Sequence, residues 1–531
     1  MLINAQNISY RKPDATVLFE EVSFTVNKGD KTAIVGKNGI GKSTLLKIIA
    51  GNTTEYNGVL QINGTLYYVP QHYGHFDEVT VAEALGIAPI LQAMQAIENG
   101  STEQAHYDLM EHTWDIVARY EEAFASWGLA GLQPDQPLRE LSGGMKTKLF
   151  LSGIQILQPD IVLLDEPTNH LDTAARNRLS DWISTTNCAV LLTSHDRQLL
   201  RICDPIWELT PTGILEYGGN YDFYEEQKEI EIAAQEHKLE FHTKALKEAK
   251  KKAQEALERK QHADAQARKS VRNSSDPKIL LNARRNAAEA STGKLKSVHA
   301  EKVNDLRSSL QEVAAMTQMQ QIMKGFFDSA TMPAGKVLFQ ANDINFAWPG
   351  KPLLWTKPLT FTIRSGNRIS IAGSNGKGKS TLLKILLDQL EPTTGTLQRT
   401  PCTKLLLDQD YSGIDRNRKV LEQALAFNER KLDEAQVHTT LANFLFKPDS
   451  WEKPCSVLSG GEMLRLSLCC MVLQNRTPDI IFLDEPVNNL DLVNIRMLAK
   501  IFRDYKGTVI LISHDQTFTE ETGIEEVITL E

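Results

Sequence analysis

"AIVGKNGIGKSTLLKII" spans Ala33–Ile49, and "SIAGSNGKGKSTLLKIL" spans Ser370–Leu386. In each, a short apolar run of strand character breaks into a glycine-rich turn and then into an apolar-periodic helix. The turns, Gly36–Ser43 and Gly373–Ser380, fit G-x-x-x-x-G-K-[ST]. Glycines there let backbone N–H groups curl around an anion, at a helix N-terminus whose dipole favours negative charge. Two phosphate cradles, each between a strand and a helix, make this an α/β chain with a duplicated plan.

The duplication extends to three further elements. "LSGGM" (Leu141–Met145) pairs with "LSGGE" (Leu458–Glu462), and "IVLLDEPTNHLD" (Ile161–Asp172) with "IIFLDEPVNNLD" (Ile480–Asp491). "LLTSHDR" (Leu191–Arg197) pairs with "LISHDQ" (Leu511–Gln516). Glu166 precedes His195 by 29 residues, and Glu485 precedes His514 by 29. From Lys42 to Ser142 is 100 residues, but from Lys379 to Ser459 only 80. The surplus is expected in the helical stretch near 90–128. Repetition of whole units predicts one domain over 1–220, a second over 336–531 and a connecting segment over 221–335.

Each repeated residue has a chemical reading. Lys42 and Lys379 would reach the β- and γ-phosphates of a nucleotide, and Ser43 and Ser380 would hold Mg²⁺. Asn38, Gly39, Gly41 and Thr44, with Asn375, Gly376, Gly378 and Thr381, complete the two cradles. In "LLDE" and "FLDE" an apolar strand delivers two carboxylates to its end. Asp165 and Asp484 would bind the metal, and Glu166 and Glu485 would polarise the attacking water. His195 and His514 follow another apolar strand, within reach of a γ-phosphate. Gln71 and Gln409 lie 29 and 30 residues after the lysines, where each could sense Mg²⁺ and water or serve as an ordinary loop residue. Ser142, Gly143 and Gly144, and Ser459, Gly460 and Gly461, would form further phosphate nests at helix starts.

Charge is spread unevenly. The net charge is −9, yet residues 241–300 hold 15 Lys/Arg against 6 Asp/Glu, leaving −18 elsewhere. Such a surplus points to a polyanion-binding element on an acidic body. The segment is rich in Ala, Glu and Lys, with little to bury, and is broken by "RNSSDPK" (Arg272–Lys278). Two antiparallel helices are expected, the first on the order of 70 Å long. Their tip, 267–294, carries Arg268, Lys269, Arg272, Lys278, Arg284 and Arg285. From patterning alone, these cations could grip folded RNA or belong to a solvated spacer. Six scattered Cys form no C-x-x-C pair, which fits a reducing cytoplasm and no zinc site. No run of about 18 apolar residues and no secretory signal is visible.

Taken together, the cradles, Gln, "LSGG", "LDEP", "NHLD/NNLD" and the repeated His resemble the ABC ATPase family. The resemblance covers both halves. It implies two ABC cassettes facing head to tail, each ATP lying between one cradle and the other cassette's "LSGG". One site would then use Lys42, Glu166 and His195 with Ser459 and Gly461; the other would use Lys379, Glu485 and His514 with Ser142 and Gly144. The family also stacks an aromatic residue on adenine, for which Tyr10 and Trp348 are candidates, although both positions also suit an aromatic core residue.

Subclasses can be separated. A transporter needs membrane spans, and a chromosome-maintenance ATPase carries its long helices inside one cassette. Damage sensors and recycling factors carry Cys sets that this chain lacks. The chain is similar instead to the ABC-F class: two P-loop cassettes joined by a helical hairpin. The resemblance implies a cytoplasmic monomer, with no membrane subunit. It would hydrolyse ATP with Mg²⁺, bind the ribosome in the exit-site region, and lay its linker against rRNA and P-site tRNA. It leaves open a housekeeping translation factor or protection of ribosomes from antibiotics. The modest surplus in the first cassette and the end at Glu531 suggest neither the full arm nor the C-terminal extension of some members. A soluble ATPase scaffold binding protein or DNA is the alternative.

Overall fold

The computed structural model describes residues 1–231 and 332–531, apart from 14, 15, 112, 170, 375, 475, 476 and 489, together with 233, 234, 319, 322, 323 and 325–327. The basic stretch 241–300, including the expected hairpin tip with Arg268, Lys269, Arg272, Lys278, Arg284 and Arg285, lies outside the described residues.

Each half is built on a largely parallel sheet. Across the first, the strands run Leu66–Val69, Ile161–Asp165, Ala189–Thr193, Lys31–Val35, Ile206–Thr210 and Gly213–Tyr217. Only the last pairs antiparallel. Across the second, they run Lys404–Leu407, Ile480–Asp484, Thr508–Ile512, Arg368–Ala372 and Glu526–Thr529, all parallel. "IVLLD", "AVLLT" and "TVILI" are buried at every position, because a parallel sheet is covered on both faces and its strands need no polar alternation.

The two faces bury different neighbours. Val162, Leu164, Val190 and Leu192 pack with helical residues such as Leu149, Leu179 and Ile183. Ile161, Leu163, Ala189 and Leu191 face Ile8, Val22 and Phe24. Those belong to a three-stranded antiparallel sheet ordered Val17–Val26, Ile3–Arg11, Asn57–Ile62. The second half repeats this with Leu359–Arg364, Val337–Asn345 and Thr394–Arg399. The period-two split of one apolar strand between two cores is what fixes its register.

The first half carries an extra helical pair. Helix Ile116–Ser126 packs on Gly143–Leu157, as Glu434–Asn443 packs on Gly460–Leu473 in the second half. Helices Ala88–Glu98 and Gln104–Met110, packed on each other, account for the surplus. The ends of the connecting segment sit on different halves. Tyr221 and Tyr224 join the first core, whereas Met319, Met323 and Phe327 join the second. Among the described residues, no helix is long and apolar enough to cross a membrane.

The topology brings the shared motifs to one edge. Both cradles follow the carboxyl end of a central strand, and Asp165 and Asp484 end the strand next but one to it, at the same edge. Ligands of open α/β sheets bind at that edge.

Candidate nucleotide sites

The cradles take the conformation that their glycines permit. Helix Lys42–Ile49 is capped by Gly41 at φ 108°, and helix Lys379–Leu386 by Gly378 at φ 83°. A Cβ at Gly41 would also meet the Phe19 ring at 2.9 Å. Lys42 is buried and curls back over the turn, its Nζ donating to the Gly36 carbonyl at 2.7 Å. Lys379 Nζ donates to the Gly373 carbonyl at 2.7 Å and lies 3.2 Å from His514 Nε2. Burial lowers the pKa of both lysines, opposed by nearby carboxylates. Lys42, a buried ammonium held by carbonyls of the turn at a helix N-terminus, is suited to receive phosphate.

The carboxylates lie where the sequence puts them in register. Asp165 pairs with Thr193 across the sheet, and Asp484 with Ile512. Asp165 therefore accepts from Thr193 Oγ1 at 2.7 Å, as well as from Ser43 Oγ at 2.9 Å and Tyr68 OH at 3.2 Å. Asp484 accepts from Ser380 Oγ at 3.4 Å. Burial raises the pKa of Asp484.

Glu166 and Glu485 both have φ 49°, a left-handed conformation uncommon for Glu and found where a site holds backbone strain. Burial pushes each carboxyl up to about 7. Glu166 Oε1 lies 3.3 Å from His195 Nε2, while Oε2 accepts from the His195 backbone N–H at 3.3 Å. In the second half the corresponding distances are 3.6 and 3.4 Å. Burial holds His195 well below its ordinary pKa and brings His514 to about 4. The rings are therefore neutral near pH 7, and the Glu–His contacts are not ion pairs.

The halves meet around these groups. A cavity of about 740 Å³ is lined by Asn38, Gly39, Gly41, Lys42, Ser43, Thr44, Gln71, Glu166 and His195 from the first half, and by Leu458, Gly460 and Asn488 from the second. The Asn38 backbone N–H donates across it to Asp491 at 3.3 Å. Ser459, beside Gly460, caps its helix and donates to Glu462 Oε2 at 2.7 Å. Gly461 is buried against Asn494, leaving no room for a side chain. The second cavity, about 290 Å³, joins Gly373, Ser374, Lys379 and His514 to Asp172, Thr173 and Ala174. Ser142, Gly143 and Gly144 start helix Gly143–Leu157 but do not line it.

Other expected site residues divide. Gly36, Gly373 and Gly376 take the positive φ of the turns, at 148°, 159° and 82°. Thr381 is buried beneath its cradle, and Asn375 lies outside the described residues. Gln409 lines the larger cavity together with Gln71. Neither Tyr10 nor Trp348 lines either of these two cavities; they pack on Phe19 and Phe346. Lys12 and Leu18 lie there instead. Sequence reading also missed Tyr68, Thr193 and Asp491. The Thr193/Ile512 difference was a visible signal, because it stands next to the repeated Ser-His.

Among the described residues, no cluster of three His, Cys, Asp or Glu could hold a metal by itself. Ser43 Oγ and Asp165, 2.9 Å apart, nevertheless suit Mg²⁺, which keeps few protein ligands and takes the rest from phosphate and water.

The comparisons agree with this geometry. The model of the ABC transporter family matches residues 19–169 and 356–488. YdiF of Bacillus subtilis is 30% identical over 98% of this chain and 78% of its own. Ribosome protection protein VmlR of Bacillus subtilis is 28% identical over 99% and 86%, and ABC transporter F family member 5 of Arabidopsis thaliana 28% over 100% and 75%. The chain belongs to the ABC-F class of ABC ATPases. Among solved structures, an RNase-L inhibitor shares the fold over 99% of this chain and 87% of its own, with a TM-score of 0.58 and 18% identity. This ABC-F protein is thus a tandem-cassette ATP hydrolase. Its cassettes are joined by contacts beyond the cavities. Buried Arg197 pairs with Glu521 at 2.6 Å, and Arg496 with Glu225 at 2.8 Å.

Proposed function

We propose that this ABC-F protein closes on two ATP molecules, and that the closed form binds the ribosome in its exit-site region. The linker, 221–335, reaches toward P-site tRNA and rRNA near the peptidyl-transferase centre, and hydrolysis resets the cycle. The observation that carries the reading is similarity to a ribosome protection protein over 99% of the chain, a span that includes the linker. The surplus of nine positive charges in 241–300 supports it, since each phosphate neutralised releases counterions and makes a polar helix useful. Arg268, Lys269, Arg272, Lys278, Arg284 and Arg285 are the proposed RNA contacts. The act takes place in the cytoplasm, on a monomer, either as translation control or as protection from an antibiotic.

At each ATP site, Lys42 or Lys379 binds the β- and γ-phosphates, and Glu166 or Glu485 orients the water and takes its proton. His195 or His514 donates to a γ-phosphate oxygen. Ser43 with Asp165, or Ser380 with Asp484, would hold Mg²⁺, with Gln71 and Gln409 closing the sites. The bound metal supplies neutralisation of the charge that develops on the phosphates.

The test is co-sedimentation of the Glu166→Gln/Glu485→Gln protein with ribosomes across a salt series. Binding that requires ATP and weakens steeply with salt is expected. Charge reversal at Arg284 and Arg285 should lower both affinity and salt slope. A doubly substituted protein left wholly in the supernatant at low salt overturns the reading, leaving an ATPase that serves a protein or DNA partner.

A further inference from the structure

The segments "PTNHLDTAAR" (Pro167–Arg176) and "PVNNLDLVNI" (Pro486–Ile495) occupy equivalent places in the two cassettes. After the shared Asp, the first has Thr173 and the second Leu492. Thr173 opens helix Thr173–Thr185 and is exposed to the smaller cavity. Its Oγ1 lies 3.2 Å from Nδ1 of His514, in the other cassette.

The other ring nitrogen decides how that contact is made. His514 Nε2 is 3.2 Å from Lys379 Nζ. An ammonium has no lone pair, so it can only donate, and Nε2 must accept. A neutral ring with a lone pair on Nε2 carries its proton on Nδ1, which then donates to Thr173 Oγ1. The low pKa of His514 agrees with a neutral ring. For Nε2 to donate to a phosphate oxygen, the proton must sit on the other nitrogen. The ring gives the Nδ1 proton to water beside exposed Thr173 and takes one from water at Nε2, so its charge is the same before and after. Nδ1 then needs a donor. A hydroxyl can supply it, because it both accepts and donates.

Among the described residues, the first site has no such partner. Leu492 is buried among the first cassette's apolar residues and has no polar side-chain atom. His195 Nδ1 is buried and makes no hydrogen bond among the described residues. We propose that Thr173 is a positioning residue acting across the interface: it holds His514 in either tautomer, and so makes turnover at the second site depend on the first cassette. The proposal rests on the reading that His514 serves the γ-phosphate.

Two measurements on the full chain test it. In the Glu166→Gln background, where turnover is left to the second site, Thr173→Val should lower kcat about tenfold, the usual scale for a partner that orients a reacting group, with KM within about twofold. Thr173→Ser should restore it. In nucleotide-free protein labelled with ¹⁵N-histidine, the resonances absent from His514→Gln should show the Nδ1–H tautomer, and in Thr173→Val they should move toward averaged values. Parental kcat in Thr173→Val, a Ser variant as impaired as Val, or unchanged ring shifts would each overturn the proposal. If Glu485→Gln has no effect in the Glu166→Gln background, the assignment of the second site falls, and this proposal with it.

Discussion

The two nucleotide sites share their motifs and backbone, down to a left-handed glutamate in each, yet differ in what surrounds the metal-side carboxylate. Asp165 is held by three hydroxyls, from Ser43, Thr193 and Tyr68. At the second site, Ile512 and Leu406 stand where Thr193 and Tyr68 stand at the first, and among the described residues Asp484 accepts a side-chain hydrogen bond only from Ser380, at 3.4 Å. The cation follows the same trend. Lys42 is 8% exposed, whereas Lys379 is only partly buried and turns to His514. The metal-side carboxylate of the first site is tied within its own cassette, whereas the histidine of the second meets a side chain, Thr173, from across the interface. Duplication therefore preserved the reacting groups and let their supports diverge.

Removing the base should break this comparison most strongly. Glu166→Gln and Glu485→Gln together should cut ATP turnover by about 10²–10⁴, the usual loss when a positioned base is removed. Measured singly under steady-state conditions, they should be unequal, because the remaining site is a different one in each. Equal residual rates would mean that the divergent supports carry no kinetic weight.

The support itself can be exchanged. Thr193→Ile gives the first site the second site's residue and removes the 2.7 Å hydrogen bond to Asp165. Partners that orient a metal ligand are commonly worth 10–100-fold in affinity. In the Glu485→Gln background, the Mg²⁺ concentration for half-maximal turnover should rise by about tenfold. Ile512→Thr in the Glu166→Gln background should move it the other way. No change in either variant would show that the hydroxyl clamp orders the apo carboxylate without tuning the metal.

What was legible in the sequence follows from how local each feature is. The cradles, "LDE" pairs and histidines are contiguous motifs on strands whose apolar runs are unmistakable, so fold class and reacting groups could be read together. Hydrogen bonds between segments could not. Thr173 and His514 are 341 residues apart, and Asn38 and Asp491 are 453 apart. Their meeting depends on how two whole cassettes dock. Tyr68 and Thr193 fall between these extremes: Thr193 lies in a motif already quoted and Tyr68 three residues before Gln71, but their bearing on Asp165 needs the strand order, which puts Ile161–Asp165 between their strands. The adenine-side aromatics could not be told from core aromatics by sequence, for a related reason. An aromatic residue at or just past the end of a sheet's central strand packs on its neighbour as readily as on a ligand, and Tyr10 and Trp348 pack on Phe19 and Phe346.

The smallest expected effect is the pH dependence, which asks whether the glutamates remain alike despite their different surroundings. Burial raises both carboxyls from an ordinary 4.5 to about 7. A general base works deprotonated, so each site should gain activity as pH rises through 7. Between pH 6 and 8 the deprotonated fraction of such a group grows about tenfold. Each site can be followed alone, using Glu485→Gln for the first and Glu166→Gln for the second. Matching limbs near 7 would show that enclosure by the sheet edge, common to both sites, sets the base. A second-site limb displaced from the first would instead trace to the cations around Glu485, because Arg176 and Lys379 favour its ionised form, whereas at Glu166 Lys42 is the cation that does so. Arg176 belongs to the first cassette, and its counterpart in the second is Ile495. A displaced limb that Arg176→Met brings back into line would make the pH response of one site a property of the other cassette.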